Sequence, residues 1–147
     1  MWSKEDLGLL VQDKLRGDKF IVVSNREPYI HTYSGSEIKC QVPPSGLTTA
    51  LDPVMRACGG VWVAHGSGDA DREVVDSNGK VMVPPGDPSY SLKRVWLTKE
   101  QEDGYYYGFA NEALWPLSHI AYTRPLFNER DWFTYKEVNE VFARAVL

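Results

Sequence analysis

The chain has 147 residues, 43% of them hydrophobic and 24% charged, with a formal net charge of -4. That describes about one ordinary globular domain, long enough to bury a sizeable core. The acidic balance, with no block of like charge, argues against nucleic acid, which asks for a basic stripe.

No apolar run approaches the roughly 20 residues that span a bilayer. The opening "MWSKEDLGLLVQDKLRG" lacks the apolar core of a secretory leader. Cys40 and Cys58 are too few for a disulfide framework or a metal site and read as reduced thiols. A cytoplasmic protein with no metal and no cofactor is expected, with no membrane partner.

Residues 3–16 are predicted as a helix. Ser3 caps it, Asp6 completes a capping box, and Trp2 can pack on Leu7. Leu7, Leu10, Val11 and Leu15 share a face, and Gly17 supplies the stop. A strand over residues 20–24 follows, then "YIHTYSGSEIKCQV" as a β-hairpin around Ser-Gly-Ser. "PPSGLTTALDPVMRACGG" reads as a loop and a helix with Ser45 as N-cap and a glycine stop. Pro53 predicts either a bend there or a helix start at Asp52.

"VWVA", residues 61–64, is a second short buried strand that opens into the glycine-rich "HGSGDADRE". Asp69, Asp71 and Glu73 read as a solvated acidic loop. "KVMVPP" and "KRVWLT" are two further strands around "GDPSYS". Thr98 and Gln101 form a capping box for "KEQEDGYYYGFANEAL", which Trp115-Pro116 is expected to end. Trp132, Tyr135, Val138, Phe142 and Ala145 trace one face of a last helix. Strands alternating with helices give an α/β layered fold.

Four stretches carry candidate chemistry. "FIVVSN" delivers Arg26 past the carboxyl end of a strand, where open α/β sheets bind ligands. A guanidinium there suits phosphate or carboxylate, or else pairs with a surface glutamate. Ser45-Gly46 opens a helix, presenting free N–H groups and the positive dipole end to a diphosphate, unless it is only a helix start. His65 and its glycines follow a strand on the same edge, as a structural histidine or as part of a site; the glycines can let a ligand approach the backbone. In "GYYYGFANEALWP", Tyr106, Phe109, Ala113 and Leu114 have core spacing, but Tyr105, Tyr106 and Tyr107 cannot all face inward. Trp115 sits at a chain reversal where a ring can close a pocket wall. No complete catalytic set is visible.

In this order and spacing, "VVSNRE", "SGL", "GGVWVAHGSG" and "YYYGFANEALWP" resemble the trehalose-6-phosphate synthases, the retaining glycosyltransferases of family 20. The resemblance covers residues 20–147 and leaves residues 1–19 as a helical extension. It implies an incomplete Rossmann-like N-terminal domain of a GT-B glycosyltransferase, with β-hairpin insertions. It implies transfer of glucose from UDP-glucose to glucose 6-phosphate. Arg26, His65, Tyr106 and Trp115 would line the acceptor site, and Ser45 and Gly46 would approach the donor diphosphate.

Many family members carry tryptophan where this chain has His65, which opens the acceptor's identity, with glycerol 3-phosphate as one alternative. The hairpin at residues 29–42 also differs from the short loop of some members. The groups that stabilise the leaving diphosphate are absent, so the chain is expected to be a truncated portion, inactive alone. A non-catalytic sugar-phosphate module is the other reading, and an open sheet edge would favour self-association.

Overall fold

A computed structural model describes residues 3–119 and 123–147. The chain forms two compact units, Met1–Val95 and Trp96–Leu147.

The first unit begins with helix α1, Lys4–Leu15. Ser3 and Asp6 exchange hydrogen bonds, Asp6 N–H to Ser3 Oγ (3.1 Å) and Ser3 N–H to Asp6 Oδ2 (2.9 Å). The expected contact between Trp2 and Leu7 lies outside the described residues. Arg16 ends the helix in the left-handed region, and Gly17 follows at positive φ. Helix α1 packs on helix α2, Gly46–Cys58. A Cβ on Gly8 would stand 2.8 Å from the Ala57 carbonyl oxygen, so only glycine permits this approach.

Helix α2 does not start at Asp52. It runs through Pro53 from an N-cap at Ser45 to Gly59. Anchors on both sides hold it: Met55 is wholly buried, and Asp52 Oδ1 accepts from Tyr29 Oη (3.0 Å) and Tyr90 Oη (2.6 Å). Tertiary contacts here outweigh the hydrogen bond that proline removes.

The main sheet contains β1 (Ile21–Ser24), β4 (Val61–His65), β6 (Tyr90–Val95) and β5 (Lys80–Val83), in that order. Strands β1, β4 and β6 are parallel, and β5 is antiparallel to β6. Strand β4 is central and nearly all buried, as expected for a parallel strand covered on both faces. Strand β6 covers residues 90–95, earlier than the expected 93–98. Tyr90, Leu92 and Arg94 alternate inward, so Ser89-Tyr90-Ser91 belongs partly to a strand and not to the turn its composition suggested. Met55, Trp62, Ala64, Val83, Tyr90 and Leu92 make the core, with Trp62 stacked on Tyr90 at 6.2 Å.

Strands β2 (Ile30–Ser34) and β3 (Glu37–Gln41) form the expected hairpin as a separate antiparallel pair. Its two-residue loop puts Gly35 at φ 66°, the first central position, where a II′ turn requires glycine.

The second unit is helical. Thr98 and Gln101 form the expected capping box for α3, Lys99–Glu102. The chain then continues as a π-helix over Asp103–Leu114 and as α4, Trp115–Ser118. Trp115-Pro116 therefore does not end the helix. Trp115 N–H still bonds five residues back to Ala110, and Pro116 sits in the first turn of α4, where its missing N–H matters least. Helix α5, Glu129–Val146, buries Val138 and Phe142 on the expected face.

Tyr105 stacks on Tyr135 of α5 at 5.7 Å, and Phe109 lies 4.9 Å from the same ring. Tyr105 and Tyr106 are both half-buried and Tyr107 is the exposed one, so the three tyrosines do not all face inward. The π-helical ladder changes which residues share a face.

Candidate functional site

The parallel register aligns the carboxyl ends of β1, β4 and β6: Ser24 stands opposite Ala64, and His65 opposite Val95. Residues 25–27 and 65–68 leave the sheet along this edge. They are linked directly, since His65 N–H donates to the Asn25 carbonyl at 3.2 Å. Arg26 is exposed there, as its strand predicts.

Its backbone is held from beneath. Trp62 Nε1–H donates to Ser24 Oγ (2.9 Å), and Ser24 Oγ–H donates to the Arg26 carbonyl (2.6 Å). Trp62 is thus core and support at once.

The next residue turns inward. Glu27 is 2% exposed and accepts from Ser67 N–H (2.9 Å), Ser67 Oγ–H (3.1 Å) and Arg94 Nε–H (2.8 Å). Arg94 is the hub. Its Nη2 also pairs with Asp71 Oδ1 (2.8 Å) and donates to the Tyr29 carbonyl (2.9 Å). It also lies 2.9 Å from His31 Nδ1. Asp71 further accepts from His31 N–H (2.8 Å) and Gly68 N–H (2.7 Å).

One buried cation faces two buried carboxylates. Burial raises the Glu27 carboxyl to about 7, with its hydrogen bond to Asp71 acting in the same direction and Arg94 opposing. Burial first, then Arg94, lowers the His31 imidazole.

Sequence reasoning missed this cluster, and it corrects one expectation. Asp71 is not solvated; it is fully buried, and Asp69 Oδ1 accepts from Tyr33 N–H at 2.9 Å. Gly68 is closely packed within the protein. A Cβ on Gly68 would meet the His31 carbonyl oxygen at 2.3 Å. The N–H groups of Gly66, Ser67 and Gly68 all bond within the protein, to Val95, Glu27 and Asp71. The one available signal was Arg94 itself, a cation at an inward position of an apolar strand.

His65 is 8% exposed, and its Nδ1 lies 3.4 Å from the Val95 carbonyl. With the proton on Nδ1, the ring donates to that carbonyl and Nε2 is left as an acceptor. Ser45 Oγ accepts from Thr48 N–H at 3.4 Å, its capping bond. Nothing lies within 4 Å of where a Cβ on Gly46 would stand, so the turn is open to an approaching group.

In the second unit Trp115 is 52% exposed and stacks on His119 at 4.5 Å. Tyr106 is half-buried, with the Tyr107 ring edge-on at 5.2 Å. Burial pushes the Tyr105 phenol up to about 12, in keeping with its inward place.

A cleft of about 690 Å³ lined by Leu7, Leu10, Pro53 and Val54 contains none of these candidate residues. Among the described residues no cluster of His, Cys, Asp and Glu could hold a metal ion. No helix among them is long and apolar enough to cross a membrane.

A mainly parallel sheet with an exposed arginine at its carboxyl edge, and a helix opening at Ser45-Gly46, is a Rossmann-like α/β arrangement. The family model of Glycosyltransferase family 20 matches residues 18–147. The chain belongs to glycosyltransferase family 20.

A trehalose-6-phosphate synthase of Mycobacterium sp. (strain JLS) is 32% identical over 128 residues, which is 86% of this chain and 24% of that protein. The crystal structure of an alpha,alpha-trehalose-phosphate synthase (UDP-forming) from Burkholderia vietnamiensis is 26% identical with a TM-score of 0.55. The match covers 88% of this chain and 24% of that one. A synthase of the same kind from Burkholderia xenovorans, solved in complex with glucose-6-phosphate, shares the fold at 22% identity and TM-score 0.60, over 88% of this chain and 25% of that one. The expected α/β fold with a parallel sheet is observed, matching the N-terminal GT-B domain of these structures. The chain spans about a quarter of the length of these relatives.

Proposed function

We propose that the chain is the acceptor-side, N-terminal portion of a retaining glycosyltransferase that moves glucose from UDP-glucose to glucose 6-phosphate. The observation that carries this reading is Arg26: an exposed arginine whose backbone carbonyl is held by Ser24, at the carboxyl edge of the sheet of a family 20 fold. A fixed fork of donors matches a phosphate dianion in geometry and charge.

In this reading Arg26 takes the acceptor phosphate, and His65 Nε2 accepts from a sugar hydroxyl. Tyr106 and Trp115 contact the acceptor sugar. Ser45 and Gly46 receive the donor diphosphate at the start of α2, where the dipole favours negative charge. The groups that stabilise the leaving diphosphate are supplied by sequence other than this chain's. The purified 147-residue chain is therefore inactive alone. Glycosyl transfer by that chain above background, with UDP-glucose and glucose 6-phosphate, overturns that part of the proposal.

The buried histidine at position 65 favours a second reading, a family 20 enzyme for a smaller phosphorylated acceptor such as glycerol 3-phosphate. Parallel titrations with the two phosphates decide between them by affinity. The half-exposed Val23 on the outer strand β1 supports self-association through that edge. A mass that rises with concentration supports it, and a constant monomer mass refutes it.

A further inference from the structure

We infer that Glu27, clamped by Arg94 and Ser67, is the positioning residue of Arg26, so that phosphate recognition depends on a buried carboxylate that never touches the ligand. The inference rests on the reading of Arg26 as the phosphate-binding group.

Arg26 and Glu27 are neighbours at the bend that follows β1, one exposed and the other buried. The Arg26 carbonyl is fixed on the amino side by Ser24, at 2.6 Å. On the carboxyl side the hold comes through the next residue, because Glu27 is pinned through both carboxylate oxygens. The pins come from separate places: Ser67 from the turn after β4, and Arg94 from β6.

Arg94 is itself immobilised by Asp71 and the Tyr29 carbonyl. Removing the Glu27 carboxylate frees the backbone of residue 26 on one side. It leaves Ser67 N–H without its acceptor, while the Arg26 side chain is unaltered. A guanidinium held in place binds more tightly than the same group on a loose turn, because ordering it on binding costs affinity.

The test uses the full chain and two readouts. The first is the order of the Arg26 backbone amide in the unliganded protein, from nitrogen-15 relaxation. The second is the affinity for glucose 6-phosphate. Glu27→Ala is expected to lower the order of residue 26 and weaken affinity about tenfold or more. Glu27→Gln, which still accepts from Ser67, is expected to restore most of the order and the affinity. Ser67→Ala removes one bond at the surface. If Glu27→Ala does not fold, a looser residue 26 in Ser67→Ala at unchanged Tm supports the inference.

An ordered Arg26 amide in a folded Glu27→Ala, or in Ser67→Ala, overturns it. So does unchanged affinity in folded Glu27→Ala. Failure of the wild-type chain to bind the phosphate at all is a different result: it counts against the acceptor reading, and the relaxation measurement still decides the role of Glu27.

Discussion

Arg94 Nε–H donates to Glu27 Oε2 at 2.8 Å, joining residues 67 apart in sequence with both side chains at most 1% exposed. This bond fixes the turn that carries Arg26 to the edge of the sheet. It also explains how the apolar run of β1, an outer strand with Ile21 and Val23 exposed, can pass straight into polar residues: Ser24 and Glu27 are held by the protein, and Arg26 faces out.

Asp71→Ala should be among the most damaging single changes in the first unit. It leaves the Arg94 guanidinium short of one carboxylate and strands His31 N–H and Gly68 N–H in the interior. Breaking a buried ion pair from one side costs about 3–5 kcal/mol. Denaturant unfolding measures it, and a loss under about 1 kcal/mol contradicts the burial of this cluster.

The charge imbalance predicts a pH signature. Glu27 is raised from its ordinary value of 4.5 to about 7. Between those values the folded state holds a proton that the unfolded state has lost. The stability this contributes is present below about 4.5 and is lost as pH rises through about 7. Glu27→Gln has no such proton. Its Tm relative to wild type should therefore shift in the variant's favour from about pH 5 to about pH 7.5. His31, lowered by burial, acts in the opposite direction in both proteins and cancels in the difference. A difference that is flat across this range contradicts the prediction.

Gly68→Ala tests whether the glycine after Ser67 serves packing or a ligand. The added methyl would face the His31 carbonyl at 2.3 Å and Ile30 Cγ2 at 2.8 Å. Overpacking of this kind costs about 1–3 kcal/mol. A lower Tm is expected in the unliganded chain, and an unchanged Tm points instead to a position kept open for ligand.

Much of this was legible in the sequence where the cause is local. The caps at Ser3, Ser45 and Thr98 follow from side chains bonding to N–H groups three residues on. The position of Arg26 follows from an apolar, β-branched run that stops abruptly. The hairpin follows from alternation around Gly35.

The remainder depends on contacts that sequence spacing does not encode. Asp71 reads as a surface acid until Arg94 arrives from β6. The Ser-Tyr-Ser stretch reads as a turn until Tyr90 is seen to bond Asp52. Pro53 reads as a break until Met55 and Asp52 anchor both sides. Tyr105 packs on Tyr135 and Tyr107 is the exposed ring of the three, in a helix that is π, a register no apolar period announces.

The central claim is that Arg26 binds the phosphate of a phosphorylated sugar. The most direct measurement is a titration of the isotope-labelled chain with glucose 6-phosphate and, separately, glucose, followed by amide shifts in two-dimensional NMR. Saturable shifts centred on residues 24–27 and 65–68, seen with the phosphate only and lost in Arg26→Ala while its Tm stays close to wild type, are predicted. Equal shifts with glucose, or shifts that survive Arg26→Ala, contradict the claim.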